Sequence, residues 1–345
     1  MHVVNARGRR RPSVAFLSSM AACIFFGLWR PNATFAPGPS ATPSKRIDFD
    51  YIEPVGVFSP PMRNNDTVAI CLIVRNETVY LDEWVDFHIS LGFSPIWIYD
   101  NADVQDLELQ AWHARRSDIQ SLVHIVHMPL FPVQGHAYES CLRRDAANST
   151  FAAMIDIDEF VVLKMHDNIV DMMVELCNED CGELTLNWNL MGTSNETQYT
   201  PMPVTKRNLH ALKRPGASRI VKAIVRPSYV ADEMDWSHTV MLKRGHWVDT
   251  NGTITPRIKS TTRGVNPHDH DGPRDVGIIY HYKYKSDEEW YLKSCVRGDS
   301  LLARGDMRKC KDVERYGNED RAGSDLDRGA WSQLVRMVPK YARFD

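Results

Sequence analysis

The chain of 345 residues has no large excess of charge of either sign: 41 lysines and arginines are balanced by 44 aspartates and glutamates, for a net charge of −3. Binding to nucleic acid through charge requires a basic surplus, so we exclude nucleic acid as the primary partner. The apolar fraction of 43% and the charged fraction of 25% are those of an ordinary globular protein. This length accommodates one large α/β domain or two small ones.

Glycine-rich phosphate-binding motifs are missing as well. No G-x-G-x-x-G follows the first predicted strand, and no G-x-x-x-x-G-K-[S/T] occurs in the chain. Because these motifs bring backbone N–H groups close to a phosphate, their absence argues against a dinucleotide-binding Rossmann enzyme and against a P-loop NTPase. There is also no C-x-x-C pair with a matching H-x-x-x-H, which argues against a zinc site.

The N-terminal 30 residues combine a basic segment with an apolar run. Four arginines lie between residues 7 and 11, and residues 13–29 are uncharged and mostly apolar. A membrane-spanning helix needs at least roughly 17 residues, and the more basic flank stays in the cytosol. We therefore expect a cytosolic tail over 1–12, a transmembrane signal anchor over 13–29 and a stem rich in Pro, Ser and Ala over 30–65. A cleaved signal peptide and an organelle transit sequence are the alternatives.

Six of the seven cysteines lie outside that apolar run. An even number of cysteines suits disulfide formation in an oxidising compartment, so it agrees with a lumenal body. Six cysteines permit 15 pairings, and the sequence does not choose among them. Cys177 with Cys181 and Cys295 with Cys310 are suggested by their proximity in the chain alone.

Strands and helices alternate from residue 66 onwards. The run "TVAICLIVRNE" is typical of a strand buried on both faces of a parallel sheet, and "YLDEWVDFHISLG" has the apolar stripe of a helix, with His88 in it as a core histidine. Further strands are predicted at "SPIWIYDN", "LVHIVHMP" and "FAAMIDIDEFVVL", with a helix over 137–148 before the last. This order predicts a right-handed, doubly wound βαβ sheet, whose ligands bind beyond the carboxyl ends of the strands. After residue 183 the strands "ELTLNWNLMG" and "VGIIYHYKY" belong to a looser second half of the same domain.

Three carboxylates interrupt the run "FAAMIDIDEFVVL". On a strand, Asp156 and Asp158 point to the same face. Buried carboxylates are costly unless they are paired, hydrogen-bonded or bound to a metal. A divalent cation, Mn²⁺ or Mg²⁺, held there would neutralise a leaving diphosphate. The alternative is a capped strand end with solvated acids.

Five stretches give the chain a specific resemblance. They are "RNETVYLDEWVDFHISLGFSPIWIYDN", "QGHAYESCLRRDAANSTFAAMIDIDEFVVL", "WNLMGTS", "KAIVRPSYVADEMDWSH" and "IIYHYKYKSDEEWYLKSCVRG", which together run from about residue 68 to 300. In order and spacing they resemble a GT-A fold glycosyltransferase, closest to glycosyltransferase family 92 and the related family-2-like domains. The resemblance implies an α/β fold over 66–345, with a Rossmann-like mixed central sheet flanked by helices.

The resemblance also implies roles for individual residues. It gives Asp158 as a direct metal ligand, Asp156 as a residue near ribose and metal, and His281 as the late histidine that completes the metal site. Trp188 and the loop "MGTS" would frame the sugar and acceptor, and His238 would bind acceptor. The candidates for donor binding are Asn76 and Glu77 beside the nucleotide, Asp100 at the base or ribose, and Lys285, Lys293 and Arg297 at the diphosphate. The candidates for the general base are Asp232, Glu233 and Asp235, with Glu196 behind them.

Each of these roles has a purely structural alternative. They are a structural partner for His281, an ordinary helix surface for Lys293 and Arg297, and core packing for Trp188. The expected function is transfer of a hexose, galactose first, from a UDP-sugar to a glycan or glycoprotein acceptor with inversion. The expected location is the Golgi membrane, as a single-pass type II protein. Three other functions compete: a retaining transferase, a non-catalytic membrane-tethered carbohydrate-binding protein, and a sugar-nucleotide nucleotidyltransferase. The last should carry a glycine-rich basic loop after the first strand, which "LIVRNETVYL" does not provide.

Overall fold

A central sheet of ten strands organises the computed structural model. The model describes residues 65–129, 133–213, 220–232, 238–255, 272–298, 310 and 321–345. All of them belong to one of the two units into which the chain divides, Pro54–Asp345. The predicted tail, anchor and nearly all of the stem lie outside the described residues. Within the described part, no helix has the length and apolar character needed to cross a membrane.

The first half of the sheet is parallel, as the alternating pattern predicts. Strand β1 (Val68–Val74) lies between β2 (Phe93–Asp100) and β4 (Phe151–Met154), and β3 (Val123–His127) lies outside β2. All seven residues of β1 are buried, which confirms the strand predicted from the continuous apolar run. The connecting helices are α1 (Leu81–Ser90), α2 (Leu107–Arg115) and α3 (Gln134–Ser140), the last continued by a π-helical turn (Cys141–Asp145).

The second half makes the sheet mixed. Strand β8 (Val221–Val225) is antiparallel to both of its neighbours, β4 and β6 (Cys181–Leu190). The carboxyl end of β6 pairs in parallel with β11 (Gly277–His281), which in turn pairs antiparallel with β5 (Glu159–Leu163). The remaining elements are β9 (His246–Val248), β10 (Ile254–Thr255), the small β7–β12 sheet (His210–Ala211 and Asp325–Leu326), α4 (Ile169–Leu176), α5 (Val204–Arg207), α6 (Asp287–Tyr291) with its π-helical continuation (Leu292–Arg297), α7 (Gly329–Met337) and the 3-10 turns Thr78–Tyr80, Pro227–Tyr229 and Pro339–Phe344.

Side chains of β1 alternate between two apolar clusters. Ile70 and Leu72 pack in one cluster with residues of α1, α2, α4 and α7, and Cys71 packs in the other with residues of α3. Helices therefore cover both faces of the sheet, as in a doubly wound fold. His88 is fully buried in α1, where its Nδ1 is 2.8 Å from the Trp84 carbonyl oxygen, so the prediction of a core histidine is confirmed.

The prediction of one strand over residues 151–163 is wrong. The chain leaves β4 at Met154 and begins β5 at Glu159, because β4 pairs with β1 whereas β5 pairs with β11. A turn joins them, in which the Glu159 N–H donates to the Asp156 carbonyl oxygen at 3.0 Å. The same apolar residues are compatible with one strand or with two. The pairing of β5 with the distant strand β11 selects two. The predicted helix over 137–148 also shifts, since α3 begins at Gln134 and the helical turns end at Asp145.

Six cysteines form three disulfides. The two pairs suggested by proximity, Cys177–Cys181 and Cys295–Cys310, are both present. The third, Cys71–Cys141, joins β1 to the helical turn that follows α3 and closes a loop of 70 residues.

Candidate active site

The turn between β4 and β5 lies at the carboxyl end of the parallel strands and carries both aspartates of the D-x-D sequence. Helix α1 anchors this turn through Trp84. Its indole N–H lies 3.1 Å from the Asp156 carbonyl oxygen and 2.8 Å from that of Glu159. The Asp156 N–H donates to the Glu159 carboxylate at 2.9 Å, which closes the turn from the other side. The backbone of the acidic turn is thus fixed by the buried face of α1.

Asp156 is surrounded by three hydrogen-bond donors from two elements, α3 and β8. Its carboxylate accepts from the Lys222 ammonium at 2.8 Å, from the Gln134 side-chain amide at 2.9 Å and from the Tyr138 hydroxyl. Burial alone would raise the pKa of Asp156, but Lys222 and the Tyr138 hydroxyl together hold the pKa below its usual value. Asp156 is therefore ionised and neutralised from within the protein.

Sequence reasoning assigned no role at this site to Lys222 or to Glu159, the third carboxylate of the run. Both are fully buried, and the Lys222 ammonium lies 3.2 Å from the Glu159 carboxylate. Desolvation raises the pKa of Glu159 to about 8, although Lys222 acts in the opposite direction. A signal was present in the sequence, since a lysine inside the apolar strand "VKAIV" must find an anion when it is buried.

Asp158 faces a different set of partners. It forms an ion pair with Lys293, and its Oδ2 lies 3.6 Å from Nε2 of His281. Desolvation would raise the pKa of Asp158, but Lys293 and His281 hold it well below its usual value. His281 is the last residue of β11, and the next residue, Tyr282, donates its N–H to the Asp158 carbonyl oxygen at 2.7 Å. The structure thus brings together three residues predicted for the metal and the diphosphate.

Two further predicted cations lie on the same side of the molecule. Lys285 is nearly buried over the Tyr80 ring, at 4.4 Å from its centroid, and desolvation lowers the pKa of this lysine to about 8. The Arg297 guanidinium lies 2.5 Å from the Glu77 carboxylate and donates to the Arg75 carbonyl oxygen at 3.2 Å. Arg297 therefore reaches the end of β1, next to the predicted donor residues.

Trp188 stands between two histidines. Its ring centroid is 4.2 Å from that of His281 and 5.4 Å from that of His238. The Nδ1 of His238 bonds to the Val221 carbonyl oxygen at 2.8 Å, and desolvation lowers the pKa of His238 to about 3, so its imidazole is neutral at physiological pH. Among the described residues, neither the Trp188 indole N–H nor Nδ1 of His281 has a hydrogen-bond partner.

Other predicted residues lie apart from this group or outside the described residues. The Asp100 side chain is closed to solvent and accepts from the backbone N–H groups of Ala102 and Asp106, so it shapes its own loop; its contact to base or ribose stays a prediction. Asp232 is fully exposed and pairs with Arg143 at 3.9 Å. Asn76 is exposed, with a positive φ of 53°. Glu233 and Asp235 lie outside the described residues.

The donor set at Asp158 fits a cation that takes most of its ligands from elsewhere. No group of three or more His, Cys, Asp or Glu side chains suited to a metal occurs in the part of the chain that the structure describes. Asp158 and His281 supply one carboxylate oxygen and one imidazole nitrogen, and Nε2 of the imidazole faces the carboxylate. Mg²⁺ and similar hard cations bind through one or two protein ligands together with substrate phosphates and water.

An acidic turn faced by lysines lies at the carboxyl edge of a mixed α/β sheet, where open α/β sheets bind their ligands. The model of the family described as Glycosyltransferase family 92 matches residues 67–300. The chain belongs to glycosyltransferase family 92.

Curated relatives carry the same family name. A glycosyltransferase family 92 protein of Oryza sativa subsp. japonica is 24% identical over 264 residues, which are 75% of this chain and 40% of the relative. One of Ricinus communis is 22% identical over 276 residues, 75% of this chain and 41% of the relative. The chain thus spans about two fifths of the length of these relatives.

Two solved structures resemble the chain at low sequence identity. A mannosyltransferase from Pyrobaculum calidifontis in complex with GDP-Man and Mn²⁺ is 12% identical, with a TM-score of 0.37 and coverage of 82% of this chain and 74% of that one. S. aureus TarS 1-349 is 11% identical, with a TM-score of 0.33 and coverage of 81% and 73%.

Proposed function

We propose that the chain is a GT-A fold glycosyltransferase that transfers a hexose, galactose as the first candidate, from a UDP-sugar to a glycan or glycoprotein acceptor. The observation that carries the proposal is the group formed by Asp158, His281 and Lys293 at the carboxyl edge of the sheet. It combines a carboxylate and an imidazole for a divalent cation with an ammonium for a phosphate. Family membership supports the same reaction class.

The cations around Asp158 suit the leaving group. Lys293, Lys285 and Arg297 lie on one stretch of chain, residues 285–297, which approaches both the acidic turn and the end of β1. Positive charges fixed before the reaction stabilise a diphosphate as negative charge develops on it. In this proposal Glu77 orients Arg297, and Asn76 borders the nucleotide.

The proposed metal is Mn²⁺ or Mg²⁺, held by Asp158 and His281. When bound, such a cation acts as a Lewis acid on the diphosphate and balances its charge. The protein's own contribution is to present Asp158 ionised, which the lowered pKa ensures, and to place His281 beside it.

The acceptor is proposed to lie against Trp188 and His238. An aromatic face suits the apolar side of a sugar ring, and the unpartnered indole N–H supplies a donor for a hydroxyl. Inversion requires a base within hydrogen-bond reach of the acceptor hydroxyl. Asp232, Glu233 and Asp235 remain the candidates, of which Asp232 is the exposed partner of Arg143.

The proposed location is the Golgi lumen, with a type II membrane anchor over residues 13–29. Support comes from the three disulfides, which form and persist in oxidising compartments. The basic and apolar N-terminal segments supply the anchor in this proposal.

A UDP-release assay on the full-length chain tests the function. Each common UDP-sugar is supplied in turn with a glycan acceptor mixture, in the presence of Mn²⁺ or of EDTA. The proposal expects release from one UDP-hexose that EDTA abolishes and Mn²⁺ restores. Release that is insensitive to EDTA would contradict the metal-dependent reaction, and a product with retained anomeric configuration would contradict inversion.

A further inference from the structure

We propose that Lys222 is a positioning residue that makes the two aspartates of the D-x-D sequence unequal: it neutralises Asp156 from inside the protein and leaves Asp158 as the carboxylate that holds the divalent cation. The inference rests on the proposed metal-dependent function. It concerns a residue on β8, more than 60 positions away in the chain from the acidic turn, that the D-x-D pattern does not include.

Lys222 is held in place by several groups. Its side chain is 0% exposed, and its ammonium lies 2.8 Å from the Asp156 carboxylate, 3.2 Å from the Glu159 carboxylate and 5.7 Å from the centroid of the Tyr138 ring. Removing an ammonium from water is unfavourable by several kcal/mol unless a fixed anion lies beside it. This ammonium therefore stays with Asp156 whether or not a ligand is bound.

The partner of Asp158 is of a different kind. The side chain of Lys293 is 26% exposed and belongs to the π-helical turn after α6. A partly exposed lysine can move its charge into solvent at small energetic expense, because its flexible stem has several rotamers. A divalent cation can thus replace Lys293 at Asp158, whereas the buried Lys222 has no route to solvent.

The partial exposure of the Asp156 side chain indicates which role this residue can still have. A quarter of its side chain is exposed, so it faces the crevice, but its charge is already balanced and three donors occupy its oxygens. A neutralised carboxylate still accepts a hydrogen bond from a neutral hydroxyl, while its attraction for a cation is reduced. Lys222 thereby determines which aspartate binds metal.

Mn²⁺ binding to the full-length chain, measured by electron paramagnetic resonance at a fixed concentration of UDP, tests the inference. Asp158→Asn should weaken Mn²⁺ binding about 100-fold or more, as expected for a lost ligand, and Asp156→Asn by about tenfold or less. Lys222→Met should tighten Mn²⁺ binding about tenfold, since it leaves Asp156 uncompensated. The double variant Asp156→Asn/Lys222→Met should return to within about threefold of the wild type.

A purely structural role for Lys222 would lower the unfolding temperature without tightening Mn²⁺ binding, which would overturn the inference. Equal losses of Mn²⁺ affinity in Asp156→Asn and Asp158→Asn would also overturn it. If Lys222→Met does not fold, Lys222→Gln, which removes the charge but keeps a hydrogen-bond donor, takes its place and should tighten Mn²⁺ binding in the same way. A wild-type chain that binds UDP but no Mn²⁺ would instead overturn the metal-dependent function, and this inference with it.

Discussion

The Arg207 guanidinium and the Glu289 carboxylate are joined inside the protein by two parallel hydrogen bonds of 2.6 Å each. Glu289 belongs to α6 and also accepts from the hydroxyls of Tyr80 and Ser286, both at 2.6 Å. Because α6 continues into the turn that carries Lys293 and Arg297, this buried pair fixes the cationic side of the proposed donor site.

Removal of Arg207 should therefore be strongly destabilising. Arg207→Ala leaves the Glu289 carboxylate buried without its main partner, and we expect a loss of about 3–5 kcal/mol in the free energy of unfolding, measured by urea denaturation. The neighbouring Lys206→Ala is the matched control. Lys206 pairs with the exposed Asp345, so its loss should cost about 1 kcal/mol or less. Equal losses of stability in the two variants would show that the buried pair stabilises the fold no more than a surface pair does.

Lys293 should affect UDP and metal in opposite directions. In the presence of Mn²⁺, Lys293→Met should weaken UDP binding about tenfold, because it removes the proposed charge-assisted contact to the diphosphate. In the absence of UDP the same variant should bind Mn²⁺ more tightly, since no ammonium competes for Asp158. Calorimetric titration gives both values. The exposed Lys164, changed to Met, serves as control, and a Lys293 variant that behaves like it would argue against a diphosphate contact.

The disulfide Cys71–Cys141 should contribute more to stability than Cys177–Cys181. It closes a loop of 70 residues as against 4, and the chain-entropy model gives about 4 and about 2 kcal/mol respectively for loops of these lengths. Denaturation of the two double-alanine variants, one for each pair, measures the difference. If loss of Cys71–Cys141 destabilised the protein no more than loss of Cys177–Cys181, the long-range bond would not restrict the unfolded chain as the model requires.

His88 should make the fold sensitive to acid. Desolvation lowers the pKa of His88 to about 3 in the folded chain, from an ordinary value of 6.5. Between these two values the unfolded chain binds a proton that the folded chain does not. The free energy of unfolding should therefore fall by about 1.4 kcal/mol per pH unit from this group as pH decreases from 6.5 towards 3.

His88→Gln keeps a donor and an acceptor but does not titrate, so unfolding of this variant should depend less steeply on pH over the same interval. His136→Gln, at an exposed histidine, should keep the wild-type slope. Parallel slopes for His88→Gln and the wild type would rule out His88 as the source of acid sensitivity.

Local sequence patterns predicted the elements whose formation depends on interactions between residues that are close in the chain. The apolar run of β1 and the buried stripe of α1 with His88 were both readable from the sequence. Lys293 and His281 beside Asp158 followed from a family resemblance, because nothing in the spacing of 123 residues or more along the chain places them there.

Features that depend on distant pairing were not predictable in the same way. The break between β4 and β5 depends on β11, which pairs with β5 from more than 110 residues away. Lys222 reaches Asp156 across the antiparallel pairing of β8 with β4, which single-sequence periodicity does not encode. The contact of Arg207 with Glu289 likewise joins two short helices, α5 and α6, far apart in sequence.

The proposed function requires the Asp158 edge of the sheet to bind a nucleotide diphosphate through a divalent cation. Calorimetric titration of UDP into the full-length chain tests it most directly, with Mn²⁺ and with EDTA, for the wild type and for Asp158→Asn. We predict that UDP binds the wild type with Mn²⁺, and that EDTA and Asp158→Asn each weaken binding about 100-fold, while the unfolding temperature of the variant stays close to that of the wild type. UDP affinity that is the same with EDTA, or that survives in Asp158→Asn, would contradict the account.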